Sequence, residues 1–170
     1  VHGYGSNEKD LFSFSRALPD ELTIISIRGD INILGAGYAW YDISIDFNGN
    51  KTYDNKKAIE SRDAVANCID KCVETFNTDK KNVTLMGFSQ GSILINAVAL
   101  TYPEKVKNII SLSGAIDPNI INLSKSSLKN LSFYISHGTL DEVLPYTLSK
   151  ESLILLDENN LDYIFEDFPI

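Results

Sequence analysis

NVTLMGFSQGS, residues 82–92, is the stretch whose reading decides the fold. Residues 83–86 are a short apolar run with a β-branched Val and Thr, which predicts a buried strand. Gly87-Phe88-Ser89-Gln90-Gly91 follows at once and matches G-x-S-x-G, and residues 92–100, SILINAVAL, read as a packed helix. In a strand–turn–helix context this pattern sets the serine on a strained turn with its hydroxyl clear of the sheet. Both glycines are then required, because a Cβ at either would collide with the neighbouring strand or helix. Ser89 is the candidate nucleophile. The backbone N–H of Gln90, at the helix N-terminus, is free to face a developing oxyanion.

The totals bound what surrounds this turn. The chain has 170 residues, enough for one domain with a core. It is 44% hydrophobic and 22% charged, ordinary for a globular protein. A net charge of −8 argues against a nucleic-acid partner, which needs a basic face, and against anionic membrane surfaces. No apolar run is long enough to span a bilayer, so no stable membrane insertion is expected. Cys68 and Cys72 are four apart on a predicted helix and share one face. They read as two reduced, partly buried thiols with no metal spacing around them, and a cytoplasmic location is expected on that basis.

Working outward, residues 6–18 predict a helix, with Ser6 or Asn7 as cap, Glu8 and Asp10 in the first turn and Leu11, Phe14 and Leu18 at helical spacing. Residues 22–27, LTIISI, predict a strand buried on both faces. Residues 28–50 read as a long irregular loop holding Tyr38, Trp40 and Tyr41, and such a loop inside a compact domain is usually functional. Residues 56–76 carry the clearest helical stripe. Strands are predicted over 106–112, 131–136 and 163–168, a polar loop over 117–129 and a helix over 145–159. Strand and helix alternate throughout, which predicts an α/β fold with a mostly parallel sheet and helices on both faces. Ligands bind beyond the C-terminal strand ends in such sheets. His2-Gly3-Tyr4, Gly87-Phe88-Ser89 and 137–141 all fall at such ends.

A serine hydroxyl needs a general base, usually a histidine oriented by a carboxylate. Asp141, in HGTLDEVLP just past a predicted strand, is the candidate acid; as a bland alternative it is a loop carboxylate or helix cap. HGYG at 2–5, GYAWYDI at 37–43, GFSQGS at 87–92 and HGTLDEVLP at 137–145 occur in that order. Together they resemble the phospholipase/carboxylesterase family of α/β-hydrolases, which includes bacterial carboxylesterases and acyl-protein thioesterases. The resemblance covers nearly the whole chain. It implies Ser89 as nucleophile, Asp141 as acid, an oxyanion hole from the N–H groups of Tyr4 and Gln90, Trp40 near the acyl site, and Asp42 in a structural role. No metal or organic cofactor is implied.

The family's base follows its last strand in a Gly-His segment, whereas the histidines here are His2, in the oxyanion loop, and His137, which precedes the acid. Order and position speak against both, with His137 as the minor alternative because geometry finally rules. The lone Val1 reads as the end of a strand that would lie mid-sheet. The expectation is therefore a single α/β-hydrolase domain over 1–170, incomplete at both ends. Its expected activity is cleavage of carboxylic esters through an acyl-enzyme on Ser89, with thioesters and lysophospholipids as close substrates. The expected partner is a small-molecule acyl ester or thioester, with homodimerisation left open. The contrasting expectation is an inactive binding protein on the same fold, should the base be missing.

Overall fold

A computed structural model describes residues 1–47, 51–123 and 128–170. Its elements in chain order are the hairpin β1 (Ile31–Ile33) and β2 (Gly37–Ala39), and the hairpin β3 (Ile43–Ile45) and β4 (Lys51–Tyr53). There follow α1 (Asn55–Phe76), β5 (Thr84–Phe88), α2 (Gln90–Thr101), β6 (Asn108–Leu112), β7 (Ser132–Gly138), α3 (Tyr146–Glu158) and β8 (Asp162–Phe168). The strands β5, β6, β7 and β8 lie side by side in that order, all parallel. The α/β alternation and parallel sheet expected from the sequence are present. Among the described residues no helix is long and apolar enough to cross a membrane.

The local rules explain the long elements. Asp54 caps α1 by accepting from the Lys56 N–H, and Asn77 ends it in the left-handed conformation at φ 49°. Its inner face buries Ala58, Val65, Ala66 and Ile69. Cys68 and Cys72 are free, with their Sγ atoms 3.7 Å apart. Helix α2 is buried almost throughout, as its apolar composition demands. Its Leu94, Ile95 and Leu100 are fully enclosed, each contributing about 1.5–3 kcal/mol by leaving water. On the sheet, Leu85, Ile109 and Phe133 stand in register on one buried face, while Met86, Ile110 and Tyr134 on the other face are half-buried.

Three expectations for the first 53 residues are corrected. Residues 6–18 do not form an α-helix. The structure has a 3-10 helix over Leu11–Ala17 with no buried residue, and Phe12 and Phe14 stay exposed. Without a face packed on a core, so short an α-helix has too little support. Residues 22–27 do not form a strand, and Leu22 and Ile25 are largely exposed. Val1 runs beside β5, donating its N–H to the Met86 carbonyl and accepting from the Phe88 N–H. Among the described residues the run 22–27 pairs with no strand. Residues 28–50 are not irregular throughout: β1–β2 and β3 lie within them, and 48–50 fall outside the described residues. Gly35 and Gly37, at φ 77° and 107°, make the first turn. In the polar stretch 117–129 two short 3-10 turns flank 124–127, which are also outside the described residues.

Candidate active site

Strand β5 ends at Phe88, helix α2 starts at Gln90, and Ser89 between them is held at φ 51°, ψ −118°. A non-glycine residue in that region costs on the order of 1–3 kcal/mol and persists only where its surroundings enforce it. The two glycines supply that enforcement. A Cβ on Gly87 would lie 2.6 Å from the Gly91 carbonyl oxygen, and one on Gly91 would lie 2.2 Å and 2.4 Å from the carbonyl oxygens of Val1 and His2. Both contacts are impossible for a real Cβ, so strand, helix and first segment close on one another only because both positions are glycine. The Ser89 N–H donates to the Leu112 carbonyl at 2.9 Å, and the Ser113 N–H donates to that of Ser136 at 2.8 Å. Ser89, Ser113 and His137 therefore stand in a row, each one residue past the register at the C-terminal edge.

The first segment packs on this edge. A Cβ on Gly3 would be 3.4 Å from Ser89 Cβ, so the Gly3–Tyr4 backbone passes directly beside the serine. Gly5 donates to the Tyr38 carbonyl and Tyr38 to that of Ser6, which ties this segment to β2. Tyr4 is 40% exposed. Among the described residues neither the Tyr4 nor the Gln90 backbone N–H is spent on a protein acceptor.

Gln90 has a second task that the motif did not reveal. Its buried side chain accepts from the Trp40 N–H at 3.0 Å and donates to the Tyr41 carbonyl at 2.7 Å. The available signal was a glutamine beginning an otherwise apolar helix, a buried polar group that must find partners. Trp40 is only 5% exposed. Its indole N–H donates to the His2 carbonyl at 2.9 Å, and its ring lies 5.1 Å from the His2 ring. It braces the segment beside Ser89 from behind. Asp42 is exposed and lines a surface cavity of about 500 Å³ with Ile31, Asp54, Lys56, Lys57 and Glu60. That cavity and a neighbouring one of about 320 Å³ lie along α1, and neither includes Ser89.

Asp141 reaches the same edge from the turn after β7. Its Oδ1 accepts from the N–H groups of Val143 and Leu144, at 2.8 and 2.9 Å. Its Oδ2 lies 3.5 Å from His137 Nε2, which donates to the Leu144 carbonyl at 2.8 Å. The buried ring of His137 thus holds the turn that presents Asp141. His2 is committed too: its Nδ1 meets the Gly3 carbonyl at 2.7 Å and its Nε2 accepts from the Gly29 N–H at 3.0 Å. Burial lowers its pKa, with the Gly3 bond opposing. Neither imidazole is hydrogen-bonded to the Ser89 hydroxyl. Ser89, Gln90 and the Gly3–Tyr4 backbone thus meet at the end of β5, with Trp40 bonded to the His2 carbonyl, while Asp141 lies in the turn after β7, two strands along the same sheet edge. Among the described residues no cluster of three or more His, Cys, Asp or Glu could hold a metal ion.

Comparison with known proteins identifies relatives of the chain. The carboxylesterase SOBER1 of Arabidopsis thaliana is 27% identical over 134 residues, which are 77% of this chain and 58% of SOBER1. The acyl-protein thioesterase 1 of Emericella nidulans is 26% identical over 182 aligned positions, covering 95% of this chain and 76% of the relative. The chain thus spans little more than half the length of SOBER1. The crystal structure of the Bacillus cereus carboxylesterase superposes with a TM-score of 0.85 at 20% identity, over 98% of this chain and 76% of the other, a likeness of fold. The sequence profile of the phospholipase/carboxylesterase family matches residues 1–169, and the chain belongs to that family.

Proposed function

We propose that this chain is a serine hydrolase that cleaves carboxylic esters or thioesters of small acyl substrates. The observation that carries the proposal is Ser89, held at positive φ between β5 and α2 with the Gly3–Tyr4 backbone beside it. Strain of that kind, bracketed by two obligatory glycines, serves the exposure of a hydroxyl better than it serves packing. The Ser89 hydroxyl attacks the acyl carbonyl, the oxygen takes the charge, and the N–H groups of Tyr4 and Gln90 receive it. One such donor is typically worth about 10²–10³ in kcat. The alcohol or thiol leaves, and water then releases the acid from Ser89. The proton on Ser89 needs an imidazole acceptor. His2 and His137 hold other bonds, so the proposal includes the base that the family's order puts after the last strand, with Asp141 orienting it. Phe88, Leu140 and Val143 are exposed around this edge and give an acyl group an apolar rim.

The test is labelling of the protein with a fluorophosphonate probe beside a Ser89→Ala control, with p-nitrophenyl acetate turnover read in parallel. Labelling and turnover that fall at least 10⁴-fold in the control are expected, since the members of such a site act as a unit. A folded, unlabelled and inactive protein would refute the hydrolase and leave a binding protein on this fold.

A further inference from the structure

The two bonds to the His2 ring fix its chemistry. The Gly29 N–H can only donate, so Nε2 of His2 must accept, and the proton of the neutral ring resides on Nδ1. The Nδ1–H therefore donates to the Gly3 carbonyl, at 2.7 Å. No peptide bond among the described residues is cis. In a planar trans peptide the carbonyl and the following N–H point in opposite directions. A Gly3 carbonyl drawn to the buried ring thus turns the Tyr4 N–H away from it. Gly3 itself lies against Phe88 and Ser89.

We propose that His2 is a positioning residue for the oxyanion hole: its Nδ1–H bond to the Gly3 carbonyl sets the Gly3–Tyr4 peptide so that the Tyr4 N–H faces the reacting carbonyl at Ser89. The assignment rests on the reading of the chain as a serine hydrolase. His2 transfers no proton and touches no substrate. His2 is 1% exposed, and its bonds and those of its neighbours form one network. Gly29 holds Nε2, the Trp40 indole holds the His2 carbonyl, and the Gln90 side chain holds the Trp40 N–H. The two residues that offer the oxyanion donors, Tyr4 and Gln90, are thereby linked through one chain of hydrogen bonds. A second anchor on the Gly3 carbonyl, the Ser6 N–H, is longer at 3.3 Å and limits the loss when His2 is changed.

Two substitutions separate the two ring nitrogens. In His2→Asn the amide N–H stands near the place of Nδ1 and keeps the bond to Gly3. In His2→Gln the amide oxygen stands near Nε2 and keeps the bond to Gly29 while the Gly3 carbonyl loses its donor. With p-nitrophenyl acetate, His2→Gln is expected to lower kcat about 10–100-fold with KM within about twofold, short of the full loss of a donor. His2→Asn is expected to stay within about fivefold of the unaltered protein. Equal falls in both variants, tracking lost thermal stability, would overturn the assignment and leave His2 as packing. Absence of Ser89 labelling in the unaltered protein would instead defeat the hydrolase reading itself. If neither variant folds, ¹⁵N spectra of the unaltered protein decide: a ring protonated on Nδ1 supports the role, and one protonated on Nε2 overturns it.

Discussion

Residues 22–27 and residues 84–88 are similar apolar stretches with different fates. Thr84–Phe88 lies in a ladder with β6 and carries the serine turn at its end. Among the described residues, 22–27 pair with no strand, and Leu22 and Ile25 are more than two-fifths exposed. A strand needs a neighbour to take its N–H and C=O groups, and apolar composition alone does not supply one. The contrast extends to the two parts of the molecule. The β5–β8 part is held by ladders and by the buried faces of α1 and α2. Much of what holds the first 53 residues is a short set of specific polar bonds: His2 to Gly29, Trp40 to His2, and Gln90 to Trp40 and Tyr41. The parts meet at Gly91, which lies against the carbonyls of Val1 and His2.

That meeting point gives the largest expected effect on stability. Gly91→Ala should cost about 3 kcal/mol or more, because its Cβ would press on backbone oxygens that cannot rotate away. Urea unfolding measures it, and a loss under about 1 kcal/mol would mean the first segment is not seated on α2 as described. The next effect separates the two apolar stretches. Ile109→Ala, at 1% exposure on β6, should cost about 3 kcal/mol. Ile25→Ala, at 42% exposure, should cost less than about 1 kcal/mol. Equal costs would show that residues 22–27 are packed as a strand in solution.

The smallest effect is a pH dependence confined to the polar latch. Burial lowers the pKa of His2 below the ordinary 6.5, an effect that the Gly3 bond, Glu8 and Asp10 oppose. The unfolded chain takes up a proton there that the folded chain refuses, so stability rises with pH across this window and falls as pH drops below about 6.5. Thermal melts between pH 7 and pH 5 should fall more steeply for the unaltered protein than for His2→Asn. Parallel slopes would show that the His2 ring takes up a proton equally in the folded and the unfolded chain, and so that its Nε2 is not held by the Gly29 N–H.

The sequence by itself determined the serine turn, its two glycines, α1, α2 and the order of β5 to β8. Each rests on a local rule: a period of 3.6, an apolar run of strand length, or a turn that only glycine permits at 87 and 91. The placement of Asp141 at the same sheet edge as Ser89 was legible too, because ends of parallel strands converge. Tertiary structure alone decided three things. Whether residues 22–27 pair as a strand depends on a neighbour elsewhere in the fold, which no pattern within the run encodes. The 3-10 form of Leu11–Ala17 depends on the absence of a covering face. The work of His2 and the Gln90 side chain depends on Gly29, Trp40 and Tyr41, between 27 and 50 residues away along the chain. A buried polar side chain must find a partner wherever the fold brings one, and the fold, not the neighbouring sequence, chooses which.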